Sequence, residues 1–168
     1  MSLIQNLNEE QQATLIQVGA KAMMDPWFGA MASIPLALNL VYIPHAAKLA
    51  VVMPALLHNY NNVLPRYTRW EDAFSSKSVV EYIKRCVSCH ENAWEAFIAF
   101  APAVLMCRMQ KADGATVKEL CYQFLRIRVL YTIFYLTGQW RIISVLRTLA
   151  WFAGMKVIGQ LYMTALTA

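Results

Sequence analysis

Long apolar runs alternate with short polar joints along this chain. Residues 3–24 are polar-rich and moderately amphipathic, a short helix or a lead-in along a membrane surface. Asp25-Pro26 breaks that pattern, and proline suits the first turn of a helix. No formally charged residue occurs from Trp27 to Ala47, long enough to cross a bilayer core, which takes roughly 20 apolar residues. A polar connection covers residues 58–77. A second helix is predicted over Val79–Cys107, polar in its first half and apolar in its second. Lys111–Gly114 reads as a tight loop. A third helix is predicted over Thr116–Leu136 and a fourth over Ile142–Thr164, separated by Thr137-Gly138-Gln139-Trp140. Only the first segment is free of charges; Glu95, Arg126, Arg128, Arg147 and Lys156 interrupt the others. The short connections favour an antiparallel arrangement.

Composition supports a membrane setting over a soluble helical bundle with a greasy core. Hydrophobic residues make up 58% of the 168, above the roughly 45–50% of soluble chains, and mean hydropathy is +0.38. The expected fold is all-α, one integral-membrane four-helix domain over 1–168 with residues 1–25 as a polar lead-in. Residues 1–25 lack the apolar core of a cleavable signal. The net charge of +5 comes without a basic run that would suggest nucleic acid. Arg66, Arg69, Lys77 and Arg141 fall in joints on one side, with Lys84 and Arg85 near. Lys21, Arg108, Lys111 and Lys118 fall on the other. The excess favours the first side as cytoplasmic.

Candidate chemistry sits on helical stripes. Arg85, Ser88, Asn92 and Glu95 recur at spacings of three and four, as do Arg128, Tyr131 and Tyr135, and Arg147 shares a face with Trp151. Ionisable groups inside apolar segments are costly and usually face a protein interior that binds something. Arg85 and Arg128 can hold carboxylates, Glu95 an ammonium, Asn92 a peptide amide, and the tyrosines can give hydroxyls and aromatic walls. Arg147 is left for an anion. The set suits a small zwitterionic, peptide-like ligand. The plainer alternatives are a snorkelling Arg85, interface tyrosines, and a structural Glu95–Arg128 pair.

Several segments, in order, resemble the membrane-associated proteins in eicosanoid and glutathione metabolism (MAPEG), the microsomal glutathione transferase superfamily. They are Tyr60-Asn61-Asn62-Val63-Leu64-Pro65-Arg66, His90 to Phe97, Arg128 to Leu136 and Arg147 to Trp151. The resemblance implies a homotrimer of four-helix subunits with glutathione as co-substrate, bound between subunits. It puts Asn92, Glu95, Arg128, Tyr131 and Tyr135 in the glutathione site, with His90 and Thr148 at matching positions. It gives Arg147 the catalytic role of stabilising the thiolate. It departs at Ser88, where many members carry arginine; Arg85, one turn earlier, is the substitute. No clear counterpart exists for a basic residue from the end of the first helix; Lys48 and His58 are candidates. The implied activity is glutathione transfer to lipophilic electrophiles or reduction of lipid hydroperoxides. The alternative is a non-enzymatic lipid-binding or scaffolding member. The expected setting is multi-pass, in the endoplasmic reticulum of a eukaryote or the inner membrane of a bacterium, with membrane lipid as a partner and no nucleic acid.

Cys86-Val87-Ser88-Cys89-His90 also fits the Cys-x-x-Cys-His pattern of covalent haem attachment. That chemistry runs on the non-cytoplasmic side, opposite the side inferred here, and the motif lies within a predicted helix. A redox pair is a second reading. The spacing is half a zinc site, but no second pair completes it, so no metal is expected. Cys107 and Cys121 read as packing residues.

Overall fold

A computed structural model describes residues 9–55, 69–138 and 140–168. Its elements are α1 (Glu9–Met24), α2 (Pro26–Val52) running into a short 3₁₀ turn (Met53–Ala55), α3 (Trp70–Ala73), α4 (Lys77–Met109), α5 (Gly114–Thr137) and α6 (Arg141–Leu166). All are helical; the described residues contain no strand. Each predicted long helix extends a few residues beyond its expected ends. The described part of the polar joint contributes only the single turn α3. His58 and the Asn61–Arg66 segment lie outside the described residues. α2 and α6 are long and apolar enough to cross a membrane.

Capping chemistry sets the starts. The Asp25 carboxylate accepts from Trp27 N at 2.9 Å, with Pro26 in the first turn. Asp113 does the same for α5, accepting from Thr116 N at 2.9 Å and from the Thr116 hydroxyl at 2.6 Å. These bonds satisfy amides that have no partner inside a helix. They also hold the Asp113 carboxyl below its usual range, the Thr116 hydroxyl first among the causes. In the α4–α5 turn the left-handed residue is Lys111, with φ of 59°. Gly114 does a different job from the loop role its sequence position suggests. A Cβ there would lie 2.7 Å from the Trp27 indole, so glycine lets the start of α5 meet the start of α2.

The long helices pack pairwise, α2 along α4 and α5, and α6 along α5 and α4. Trp27, Arg108 and Gly114 mark one end: the Arg108 guanidinium stacks 4.9 Å from the Trp27 ring. At the other end Lys84 donates to Glu71, which lowers the Glu71 pKa, and Lys48 lies over Trp70. Between them the core is built from small residues and one aromatic pair. Ala30, Ala37, Ala96 and Ala103 allow close approach, and the Phe100 and Phe124 rings stack at 4.1 Å. Cys107 donates to the Leu161 carbonyl at 3.1 Å. Cys107 and Cys121 are buried, free packing residues, as expected.

Candidate functional site

Toward the Lys84 end the same helices part around a polar cleft of about 220 Å³, lined by Asn92, Tyr131, Tyr135, Arg147, Thr148 and Trp151. Its residues come from α4, α5 and α6, one helical stripe from each. On α4, the Asn92 amide nitrogen donates to the Ser88 carbonyl at 2.9 Å. That bond orients the side chain and leaves its oxygen to accept. On α5, Tyr131 and Tyr135 stand one turn apart with ring centroids 5.5 Å apart. On α6, Arg147 is half-buried and Thr148 exposed.

One arginine–tyrosine stack lines this cleft, and a second lies beside it, its arginine lining a separate small cavity. Arg128 is 5% exposed and lies 4.2 Å from the Tyr131 ring centroid. Its Nη2 also donates a long bond of 3.4 Å to the Asn92 carbonyl. Arg147 lies 4.3 Å from the Tyr135 ring centroid. The negative ring faces hold both cations without consuming their charge. Neither arginine has an ion-pair partner among the described residues. Arg147 therefore brings to the cleft a positive charge that no ion pair neutralises, which favours an anion there.

Three of the expected site residues stand apart from this group. Glu95 is on the α4 stripe but exposed, and it forms no ion pair with Arg128; the structural-pair alternative is not realised. Arg85 lies seven residues before Asn92 on α4, about 10 Å along the axis. Its guanidinium is 5.8 Å from the Tyr82 ring, and its Nε is buried with no hydrogen-bond partner among the described residues.

His90 turns toward α2. Its Nε2 accepts from Trp94 Nε1 at 3.2 Å, so Nδ1 carries the proton and donates to the Val41 carbonyl at 2.8 Å. His90 thus ties α4 to α2. The same bonds occupy both nitrogens of the Cys-x-x-Cys-His histidine, while Cys86 and Cys89 are buried mid-helix. The residues present do not fit covalent haem.

One lining residue had been noted only as a neighbour of Arg147. Trp151 closes one wall of the cleft and packs edge-on against Phe152, with centroids 5.0 Å apart. Phe152 in turn borders a second groove of about 280 Å³ with Val145, Leu149, Arg147 and Thr148. Arg147 and Thr148 belong to both, so the polar cleft and the apolar groove meet at the guanidinium. The four-residue spacing from Arg147 was the available signal for Trp151.

Residues 31–167 match the family model described as the MAPEG family. The chain belongs to the MAPEG family. It is accordingly a membrane protein of that superfamily. No curated protein and no solved structure gives a significant match to it. All the cleft residues fall inside the matched span.

Proposed function

We propose that this MAPEG protein crosses the membrane with four helices, assembles as a homotrimer, and binds glutathione for use as a thiolate. The family includes glutathione transferases and related enzymes. The observation that carries the proposal is the cleft where Asn92, Arg147, Thr148 and two tyrosines converge beside an apolar groove, with the buried Arg128 stacked on one of those tyrosines. A tripeptide with two carboxylates and a thiol matches that set. Arg128 is preorganised for a carboxylate by its ring stack, Asn92 can accept from a peptide amide, and the tyrosine hydroxyls can complete the shell.

Arg147 takes the thiol. A free thiol has a pKa of about 8.5, and a neighbouring guanidinium lowers it by favouring the anion. In the transferase reaction the thiolate attacks an electrophilic carbon of the lipophilic partner in the adjoining groove. A carbon–sulfur bond forms, and either the leaving group departs with the electron pair or the adjacent carbon takes a proton. In the peroxidase reaction the thiolate attacks the terminal hydroperoxide oxygen. The O–O bond breaks, the lipid alcoholate takes a proton, and the sulfenic acid is reduced by a second glutathione, giving the disulfide and water.

The single chain's cleft, about 220 Å³, is smaller than the roughly 300–1,000 Å³ usual for small-molecule sites. Glu95 is also exposed without an ion pair, and the buried Nε of Arg85 has no hydrogen-bond partner, among the described residues. Both features support a site finished by a second copy, with Glu95 on the glutathione ammonium. The test is calorimetry of glutathione binding in detergent, then thiolate absorbance at saturation. Binding with a thiolate band at neutral pH is expected. Binding without thiolate or turnover would favour the non-enzymatic lipid-binding alternative, and no binding would overturn the proposal.

A further inference from the structure

At the opposite end from the cleft, α5 and α6 flank an open groove of about 600 Å³. Lys156 lies on its floor side, exposed and without an ion-pair partner among the described residues. It stands ten residues before Leu166, the end of α6, or about 15 Å along the axis. Helical side chains lean toward the N-terminus. Lys156 therefore leans away from the nearer membrane surface, which works against snorkelling. A lone ammonium at that depth is costly. Arg126, on the outer face of α5, is held by Glu119 at 3.0 Å; Lys156 has no such neutraliser.

The rest of the groove has a specific hydrogen-bond character. Gln160, one turn along, has an amide with no intramolecular bond among the described residues and can donate beside Lys156. Gly159 leaves open space where a side chain would stand. Nearer the surface are three threonines whose hydrogens are already given away. Thr116 donates to Asp113, Thr164 to the Gln160 carbonyl at 2.8 Å, and Thr167 to the Met163 carbonyl at 3.0 Å. Their oxygens can only accept. The groove thus presents a cation and an amide donor at depth and acceptors at its mouth, with Leu120 and Met163 as apolar wall.

We propose that this groove binds an anionic phospholipid with a polyol headgroup, its phosphate on Lys156 and Gln160 and its headgroup hydroxyls on Thr116, Thr164 and Thr167. The phosphate supplies the missing counter-charge. The Asp113 carboxylate beside Thr116 adds acceptor character at the mouth and repels a second anion there. The site rests on α6 crossing the bilayer, as proposed above, but not on glutathione use.

Purified protein in mixed micelles, offered dioleoyl phosphatidylglycerol or dioleoyl phosphatidylcholine, is examined by native mass spectrometry. Retention of phosphatidylglycerol should clearly exceed that of phosphatidylcholine, because only the former brings a net negative charge to Lys156. Lys156→Gln should erase the preference, and Lys156→Arg should keep it. Lys77→Gln, at the far end, should also keep it. Gly159→Leu, which fills the groove without touching charge, should erase it too. Equal retention of both lipids by the wild type, or an unchanged preference in Lys156→Gln and Gly159→Leu, would overturn the site. Equal retention of phosphatidic acid would remove the polyol half of the assignment. Cross-linking between copies through Gln160→Cys would give the groove to a second chain and overturn it. Full labelling of Lys156→Cys by a membrane-impermeant maleimide would take α6 out of the bilayer and the proposal with it. Protection of Lys156→Cys from that reagent, together with unselective lipid binding by the wild type, would remove the lipid site alone.

Discussion

Between Phe100 and Cys107, α4 meets α5 and α6 through filled contacts; between Asn92 and Glu95 it meets them across a cleft. The chain and the helices are the same, but the side chains differ in what they leave unsatisfied. In the filled half, the Phe100–Phe124 stack and the alanines bury apolar surface, and the Cys107 thiol finds a backbone acceptor. In the open half, two guanidinium groups rest on tyrosine rings at 4.2 and 4.3 Å, and neither forms an ion pair among the described residues. Stability is concentrated in the first half, and capacity to bind an anion in the second. Substitutions in the two halves should therefore separate folding from chemistry.

Phe124→Ala should show the largest effect. It deletes half of the stacked pair in a site that cannot collapse easily, at a cost of about 3–5 kcal/mol. Denaturant titration in detergent measures this, and the protein that remains folded should bind glutathione with near wild-type affinity. A loss of binding matching the loss of stability would erase the separation.

Arg147→Ala should do the reverse. Turnover at neutral pH should fall by about 100-fold, the scale of losing one preorganised group that stabilises charge in a reaction. The pH–rate profile should shift upward, because only the anionic thiol gains from the guanidinium. The melting temperature should hardly move, since Arg147 is half-buried and stacked on one ring. Identical thiolate titrations for both proteins would remove Arg147 from the mechanism.

This division was partly visible along the chain. The helices, their order and the stripes at 92, at 128, 131 and 135, and at 147 follow from periodicity, because helical spacing alone decides which positions share a face. What periodicity cannot give is the partner of each face. His90 lies two residues before Asn92, yet it points to α2, where the Val41 carbonyl accepts from it. Gly114 looks like a loop glycine but is required by the Trp27 indole. Glu95 shares the Asn92 stripe, but its exposure depends on what packs opposite, which helical spacing does not specify.

Glu95→Gln sharpens the comparison at the edge of the open half. Glu95 is exposed and unpaired, so the substitution should leave stability unchanged. If it holds the glutathione ammonium, losing that charge-assisted bond should weaken binding by about 1.5–3 kcal/mol. Calorimetry at neutral pH decides. Unchanged affinity would exclude Glu95 from the site and would weaken the case for a cleft finished by a second copy.

Asp113→Ala should have the smallest effect, and it lies at the filled end. The variant loses the acceptor for Thr116 N and for the Thr116 hydroxyl at the start of α5. Glutathione binding should be unchanged, because the cleft is at the opposite end of α5. The melting temperature at neutral pH should drop slightly. Its pH dependence identifies the group. The folded-state pKa of Asp113 is lowered, by the Thr116 hydroxyl first and the Thr116 amide next. A carboxyl with a lowered folded pKa stabilises fully above its unfolded value, about 3.9, and loses that contribution as pH falls through the folded value. The gap between wild type and Asp113→Ala should therefore be constant from neutral pH down to about 4 and close below it. Paired thermal melts across that range measure the gap. A gap that persists in acid would assign the stabilisation to something other than the carboxylate charge, and a change in glutathione affinity would mean that the two halves of the helices are coupled after all.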